Sequence, residues 1–158
     1  MGKKEEKTNA MRILDSLGVR YERFLYENAG NAAEIAATLG FPPDELFKTL
    51  VTVGRSGGHY VFMIRSDGEL DLKKAARAAG EKAVEMIPQK DLLPLTGYIH
   101  GGCSPIGMKK PFPAFLDGIA AEKERICCSG GRVGCQIRLT PAELIRASGA
   151  ALADLVRE

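Results

Sequence analysis

Two runs of β-forming residues, Thr49 to Gly54 and His59 to Ser66, are separated only by Arg55-Ser56-Gly57-Gly58. So short a glycine-bearing link can join antiparallel neighbours, whereas a parallel crossover needs about a dozen residues or more. The two runs therefore pair as a hairpin. Arg125 to Ser129 and Val133 to Leu139, around Gly130-Gly131-Arg132, repeat the pattern near the end of the chain. Hairpins predominate over β-α-β alternation, which predicts a largely antiparallel or mixed sheet with helices packed outside it.

The helices are marked by their caps. Thr8 opens a first helix through Leu17, with Met11, Ile13 and Leu14 as its apolar stripe and Gly18 after it. Tyr21 to Glu27 alternates as a strand that puts Phe24 and Tyr26 on one face. Asn31 with Glu34 forms a capping box for a helix closed by Gly40. After the rigid Phe41-Pro42-Pro43 turn, a short helix is expected to carry Leu46, Phe47 and Lys48. Asp71 caps Leu72 to Ala79, Val84 to Ile87 is a short strand, and Pro88 to Leu95 a short helix or turn. Ala114 to Leu116 is a brief strand, and Thr140-Pro141-Ala142-Glu143 opens the last helix.

A length of 158 residues predicts one domain over 1–158, with residues 1–7 as a frayed lead-in. No apolar run approaches the ~20 residues that span a bilayer, and MGKKEEKTNA lacks the apolar core of a signal peptide. A cytoplasmic protein with no membrane contact is expected, so Cys103, Cys127, Cys128 and Cys135 should be reduced thiols. Cys127 and Cys128, adjacent on a strand, face opposite ways. No CxxC pair occurs and His59 and His100 lie far from the last three cysteines, so no metal site is expected. GxGxxG and GxxxxGK[ST] are both missing, which leaves nucleotide cofactors without motif support, and no cofactor is expected. A net charge of +2 gives no global pull toward nucleic acid. RNA contact would have to come from local clusters: Lys73, Lys74 and Arg77, or Lys109 and Lys110, or Arg125 and Arg132. For each cluster taken separately, plain solvated surface is the favoured reading.

Three features could carry chemistry. Thr96 to Gly107, TGYIHGGCSPIG, sets two adjacent glycines before a Ser-Pro pair. Such a loop can fix amides and a hydroxyl in an array that binds a carbonyl, carboxylate or phosphate, or it can be a tight turn between strands. Lys48, in the apolar company of Leu46, Phe47, Leu50 and Val51, either snorkels to water or holds its ammonium in a cleft beside a developing oxyanion. Cys103 and His100 could form a thiolate–imidazolium pair, or Cys103 could simply pack.

KTNA at Lys7 to Ala10, FKTL at Phe47 to Leu50, LDLKKAA at Leu70 to Ala76 and VEM at Val84 to Met86 occur in that order. TGYIHGGCSPIGMKK at Thr96 to Lys110 and SGGRVGCQI at Ser129 to Ile137 follow. Together they resemble the YbaK-like aminoacyl-tRNA deacylases, whose fold is also the editing domain inserted in bacterial prolyl-tRNA synthetases. The likeness runs from about Lys7 to the final helix. It implies an α/β domain with a mixed, largely antiparallel, barrel-like sheet flanked by helices. It also implies hydrolysis in trans of mischarged tRNA, typically cysteine on proline tRNA, a pair that an apolar synthetase pocket separates weakly. Mischarged proline tRNA is the implied substrate, and prolyl-tRNA synthetase a candidate partner; oligomeric state is left open.

Carried onto this sequence, the resemblance gives Lys48 the task of orienting substrate near the ester and terminal ribose. Gly101, Gly102, Ser104 and Pro105 would line the aminoacyl pocket, with Tyr26, Ser129, Gly130, Gly131 and Gln136 completing the substrate-binding set. No protein nucleophile is implied: in cysteine-specific members the substrate thiol is thought to attack its own ester. Two departures bear on the substrate. Some relatives have an aspartate where Gln136 stands, and Asn28 to Ala33 lacks the aromatic residue that some carry there. The alternatives are a deacylase for alanine or another small aminoacyl group, or a non-catalytic module that binds tRNA or the synthetase.

Overall fold

The computed structural model describes residues 6–27 and 30–158. Among these residues, eight strands and five α-helices follow in the order α1 (Asn9–Ser16), β1 (Glu22–Leu25), α2 (Ala32–Leu39), β2 (Phe47–Gly54), β3 (His59–Arg65), α3 (Leu72–Ala79) and β4 (Val84–Met86). They continue with α4 (Leu92–Thr96), β5 (Ala114–Asp117), β6 (Ile126–Ser129), β7 (Cys135–Leu139), α5 (Pro141–Ser148) and β8 (Ala151–Ala153).

Both expected hairpins form. β2 and β3 pair antiparallel from Val53↔His59 to Phe47↔Arg65, and β6 pairs with β7 from Ser129↔Gln136 to Ile126↔Leu139. The mixed sheet is divided in two. A five-stranded sheet has the order β4-β2-β3-β5-β8, with the β3–β5 and β5–β8 pairs parallel, and an antiparallel sheet has the order β1-β7-β6. Among the described residues one isolated parallel bridge, Leu46↔Cys127, links their backbones, so the barrel-like arrangement is not closed.

The caps act as their sequence suggests. Thr8 Oγ1 accepts from Met11 N, Asn31 and Glu34 complete a reciprocal capping box, Asp71 accepts from Lys73 N and Lys74 N, and Thr140 accepts from Glu143 N. The main core fills the space between the sheets with Met11, Leu14, Phe47, Met63, Ile106, Leu116 and Ile137. α3 closes a second cluster around Phe62 and Ile64, and α2 a third around Ile35 and Leu46. Cys128 lies in the main core and Cys127 under α2, on the opposite faces expected of strand neighbours.

Two elements differ from the sequence reading. The helix after Pro42 is one 3-10 turn, Pro43–Glu45, and Phe47 and Lys48 already belong to β2. Pairing with β3 and complete burial of Phe47 outweigh the local helical signals. β8 was not foreseen; its three residues complete an edge only because β5 is there to receive them. The expected frayed lead-in over 1–7 lies mostly outside the described residues, and within them Lys7 pairs with Asp15. No helix among the described residues is long and apolar enough to cross a membrane.

Candidate active site

Strand pairing leaves a gap beside β2. β3 covers one edge for its whole length, but β4 covers the other only from Thr52 to Gly54. At the opposite end, Leu46 is held by Cys127. Between these points, Phe47 to Val51 have no strand neighbour on that edge among the described residues, and a cavity of about 710 Å³ opens there. Its walls are the N-terminal turn of α2, the Ser66–Glu69 turn, the Met86–Leu92 segment, His100, Gly101 and Cys103 of the glycine loop, and Ser129 and Gln136.

Hydrogen bonding fixes which backbone groups face the gap. Gly54 N donates to Gly58 O, so alternate residues back to Lys48 exchange bonds with β3. The peptide groups between them turn outward: Val51 O accepts from Ile87 N. Thr49, two residues earlier, presents its own N–H and C=O to the cavity edge.

Lys48 lines this cavity, half-buried and without an ion pair among the described residues. Burial lowers its pKa below the ordinary lysine value, while the charges of Asp67 and Glu69, on the same wall, act to raise it. Asp67 is itself held below the usual carboxylate range by its hydrogen bond with Arg65.

The glycine loop is rigidly built. Thr96 Oγ1 donates to Leu92 O at 2.8 Å and accepts from Tyr98 N at 3.0 Å; Tyr98 Oη donates to Ile106 O. Gly101 has φ +86°, a backbone setting disfavoured for a side chain. A Cβ on Gly102 would come within 2.8 Å of the Arg132–Val133 backbone, so the loop and the β6–β7 turn touch main chain to main chain. This contact brings Gly101 and Ser129 to the same cavity.

The expected site residues divide into two groups. Lys48, Gly101, Ser129 and Gln136 line one cavity. Tyr26 adjoins it through Gln136, whose Nε2 donates to Tyr26 Oη at 3.5 Å. Gly102, Ser104, Pro105, Gly130 and Gly131 sit behind the wall. Ser104 Oγ is fully buried and accepts from Ile106 N, and Gly130 and Gly131 pack against Cys135 and Thr8. His100 is exposed, whereas burial pushes the Cys103 thiol up to about 11, with Thr96 as its hydrogen-bond partner. That environment disfavours a thiolate.

Thr49, Asp67 and Glu69 are wall residues that sequence reasoning missed. Thr49 was within reach, being the residue after Lys48 on a strand edge; the two acids are brought there by the turn after β3. Two side-chain oxygens of wall residues, Thr49 Oγ1 and Gln136 Oε1, are buried with no hydrogen-bond partner among the described residues. Among the described residues no cluster of His, Cys, Asp and Glu could hold a metal ion.

The sequence model of the aminoacyl-tRNA editing domain family matches residues 26–147, the span that builds this cavity. The chain belongs to that family. The expectation of a tRNA-deacylating hydrolase stands with it. An Enterococcus faecalis protein, named provisionally as the Cys-tRNA(Pro)/Cys-tRNA(Cys) deacylase EbsC, is 44% identical over 97% of this chain and 95% of its own length. The proline–tRNA ligase of Shouchella clausii is 32% identical over 64% of this chain, a match confined to 18% of the ligase. A crystal structure described provisionally as a trans-editing enzyme for prolyl-tRNA synthetase superimposes with a TM-score of 0.82 at 29% identity. That superposition covers 97% of this chain and 99% of the other.

Proposed function

We propose that this editing-domain protein is a trans-acting deacylase of mischarged tRNA, with Cys-tRNA(Pro) as its substrate. The observation that carries the reading is the common cavity: Lys48, the open edge of β2 and the glycine-loop wall line it together with Thr49 and Gln136. Its volume of about 710 Å³ suits an aminoacyl group with its terminal nucleoside. The EbsC relative, alike over nearly its full length, supports cysteine as the amino acid.

In this reading Lys48 holds the ester near the terminal ribose, and Thr49 N–H lies on the edge where charge develops on the carbonyl oxygen. Gln136 Oε1 and Thr49 Oγ1 accept from the substrate's α-ammonium, which supplies the donors they lack. The substrate thiol attacks the carbonyl carbon. A C–S bond forms, the bond to the ribose oxygen breaks, and the thiol proton ends on that oxygen. The products are a cysteine thiolactone, which water then opens, and tRNA with a free terminal hydroxyl. Confinement of thiol and ester in one small space supplies much of the acceleration.

A panel of tRNAs charged with cysteine, serine, alanine and proline tests this. Cys-tRNA(Pro) should be deacylated and its serine analogue should react far more slowly. Equal rates on the two would make water the attacking group. Preference for alanine would leave the deacylase but replace the amino acid.

A further inference from the structure

We propose that the single-stranded 3′ terminus of the tRNA leaves the cavity over one side of its rim, the side formed by α4, the 99–102 turn and Lys109–Lys110. The inference rests on the deacylase reading, because an aminoacyl ester in the cavity is tethered to the terminal ribose. The adjoining nucleotides must then cross the rim, and the charges around it are unequal.

On one side stand Asp67 and Glu69, both exposed and paired with Arg65 and Arg157, and Glu34 sits in the first turn of α2. The cations on that side are already matched by carboxylates and offer a phosphate chain little net attraction. On the other side Lys90 lies between the cavity-lining Gln89 and Leu92. Lys109 N donates to Thr96 O at 2.9 Å, which fixes Lys109 and Lys110 at the far end of α4. All three lysines are exposed, and none enters an ion pair among the described residues. Exposed lysines without acidic partners are free to neutralise phosphates.

The same side carries apolar surface that the fold does not use. Leu93 is 53% exposed and Ile99 52%, and Val133, 40% exposed, stands 3.5 Å from where a Cβ on Gly101 would lie. Aliphatic side chains beside lysines offer an unstacked base a surface for its face while its phosphate meets a charge. This combination adjoins the cavity without a break, since His100 and Gly101 line it.

The test uses the intact protein and a labelled RNA acceptor-stem hairpin, uncharged, with or without a short 3′ overhang ending in adenosine. Wild type should bind the overhang form more tightly than the blunt form. Lys109→Glu/Lys110→Glu should weaken overhang binding by about tenfold or more and flatten its salt dependence. Lys73→Glu/Arg77→Glu on α3, the same charge change elsewhere, should leave it intact. With mischarged tRNA, the rim variant should raise KM and keep kcat. No overhang preference in wild type, unchanged binding by the rim variant, or equal loss in the α3 control overturns the proposal. So does intact RNA binding coupled with lost association with prolyl-tRNA synthetase, which would make the rim a protein contact. If wild type turns over no charged tRNA yet loses overhang binding on rim substitution, the deacylase reading falls and the rim assignment stands.

Discussion

Thr49 and Gln136 line one cavity from different sheets, and their side-chain oxygens Oγ1 and Oε1 are buried with no hydrogen-bond partner among the described residues. A buried polar atom left unpaired costs about 1–3 kcal/mol, so two in one wall oppose folding and await a donor. Gln136→Leu removes one orphan at nearly constant volume, and with it only the long Nε2 bond to Tyr26 Oη, a partly exposed hydroxyl that water can satisfy. The variant should melt at the same temperature as wild type or slightly above it, while KM for the aminoacyl substrate rises about tenfold. Thermal melts beside steady-state deacylation measure both. A destabilised variant with unchanged KM would mean that Gln136 serves the fold and not the substrate.

The contact between Gly102 and the Arg132–Val133 backbone makes a second prediction. A methyl group cannot occupy 2.8 Å from main-chain atoms, and neither partner is the flexible end of a side chain. Gly102→Ala must push the loop and the β6–β7 turn apart. Destabilisation of about 1–3 kcal/mol is expected, a fall of several degrees in Tm. Deacylation should be lost out of proportion to stability, because Gly101 and Ser129 reach the cavity through this contact. Chemical denaturation with activity assayed well below the midpoint separates the two effects. Wild-type activity in the folded variant would detach the loop from the chemistry.

Caps and hairpins were legible from the sequence because each is decided within a few residues: Asn31 with Glu34, Thr140 with Glu143, the four residues between β2 and β3. Lys48 was recognisable as a polar residue in apolar company, but its strand assignment was not. The proline turn before it gives local helical signals, and only pairing with Ile64 overrules them. Asp67 and Glu69 carried no signal at all. Their closeness to Lys48 depends on how β3 ends, a matter of register and not of spacing. The glycine loop was expected to present amides and the Ser104 hydroxyl to a ligand, or else to be a tight turn between strands; Ser104 instead braces it from within, its hydroxyl spent on Ile106 N. Which face of a loop meets a cavity is decided by packing from elsewhere, here the turn at Arg132 and Val133.

Cys103 lines the cavity, within reach of a bound ester. Burial pushes this thiol to about 11, which leaves it protonated near neutral pH. Cys103→Ser should therefore retain deacylation within about threefold of wild type, and alkylating reagents should react slowly with the folded protein. Mass spectrometry after timed alkylation, beside residual activity, checks both. Loss of activity in Cys103→Ser with an unchanged melt would restore the protein thiol as nucleophile.

Lys48 gives the pH prediction. Its ammonium must be charged to hold an oxygen of the ester, so activity depends on the protonated form. Burial lowers its folded pKa, and the Asp67 and Glu69 charges partly restore it. Activity should therefore be lost as pH rises through a value below that of an ordinary lysine. At lower pH a different limb is expected, because the substrate thiol, with an ordinary pKa of about 8.5, becomes the better nucleophile as it ionises. The profile is then a bell, corrected for spontaneous ester hydrolysis. Asp67→Asn removes the larger of the two supporting charges, and only the upper limb should move, toward lower pH; Glu69→Gln should do the same to a smaller extent. Lys48→Met should abolish the upper limb and lower kcat/KM by about 100–1000-fold, the loss typical of one oxyanion-stabilising group. An upper limb that stays in place in both acid variants would sever Lys48 from the titration that limits the reaction.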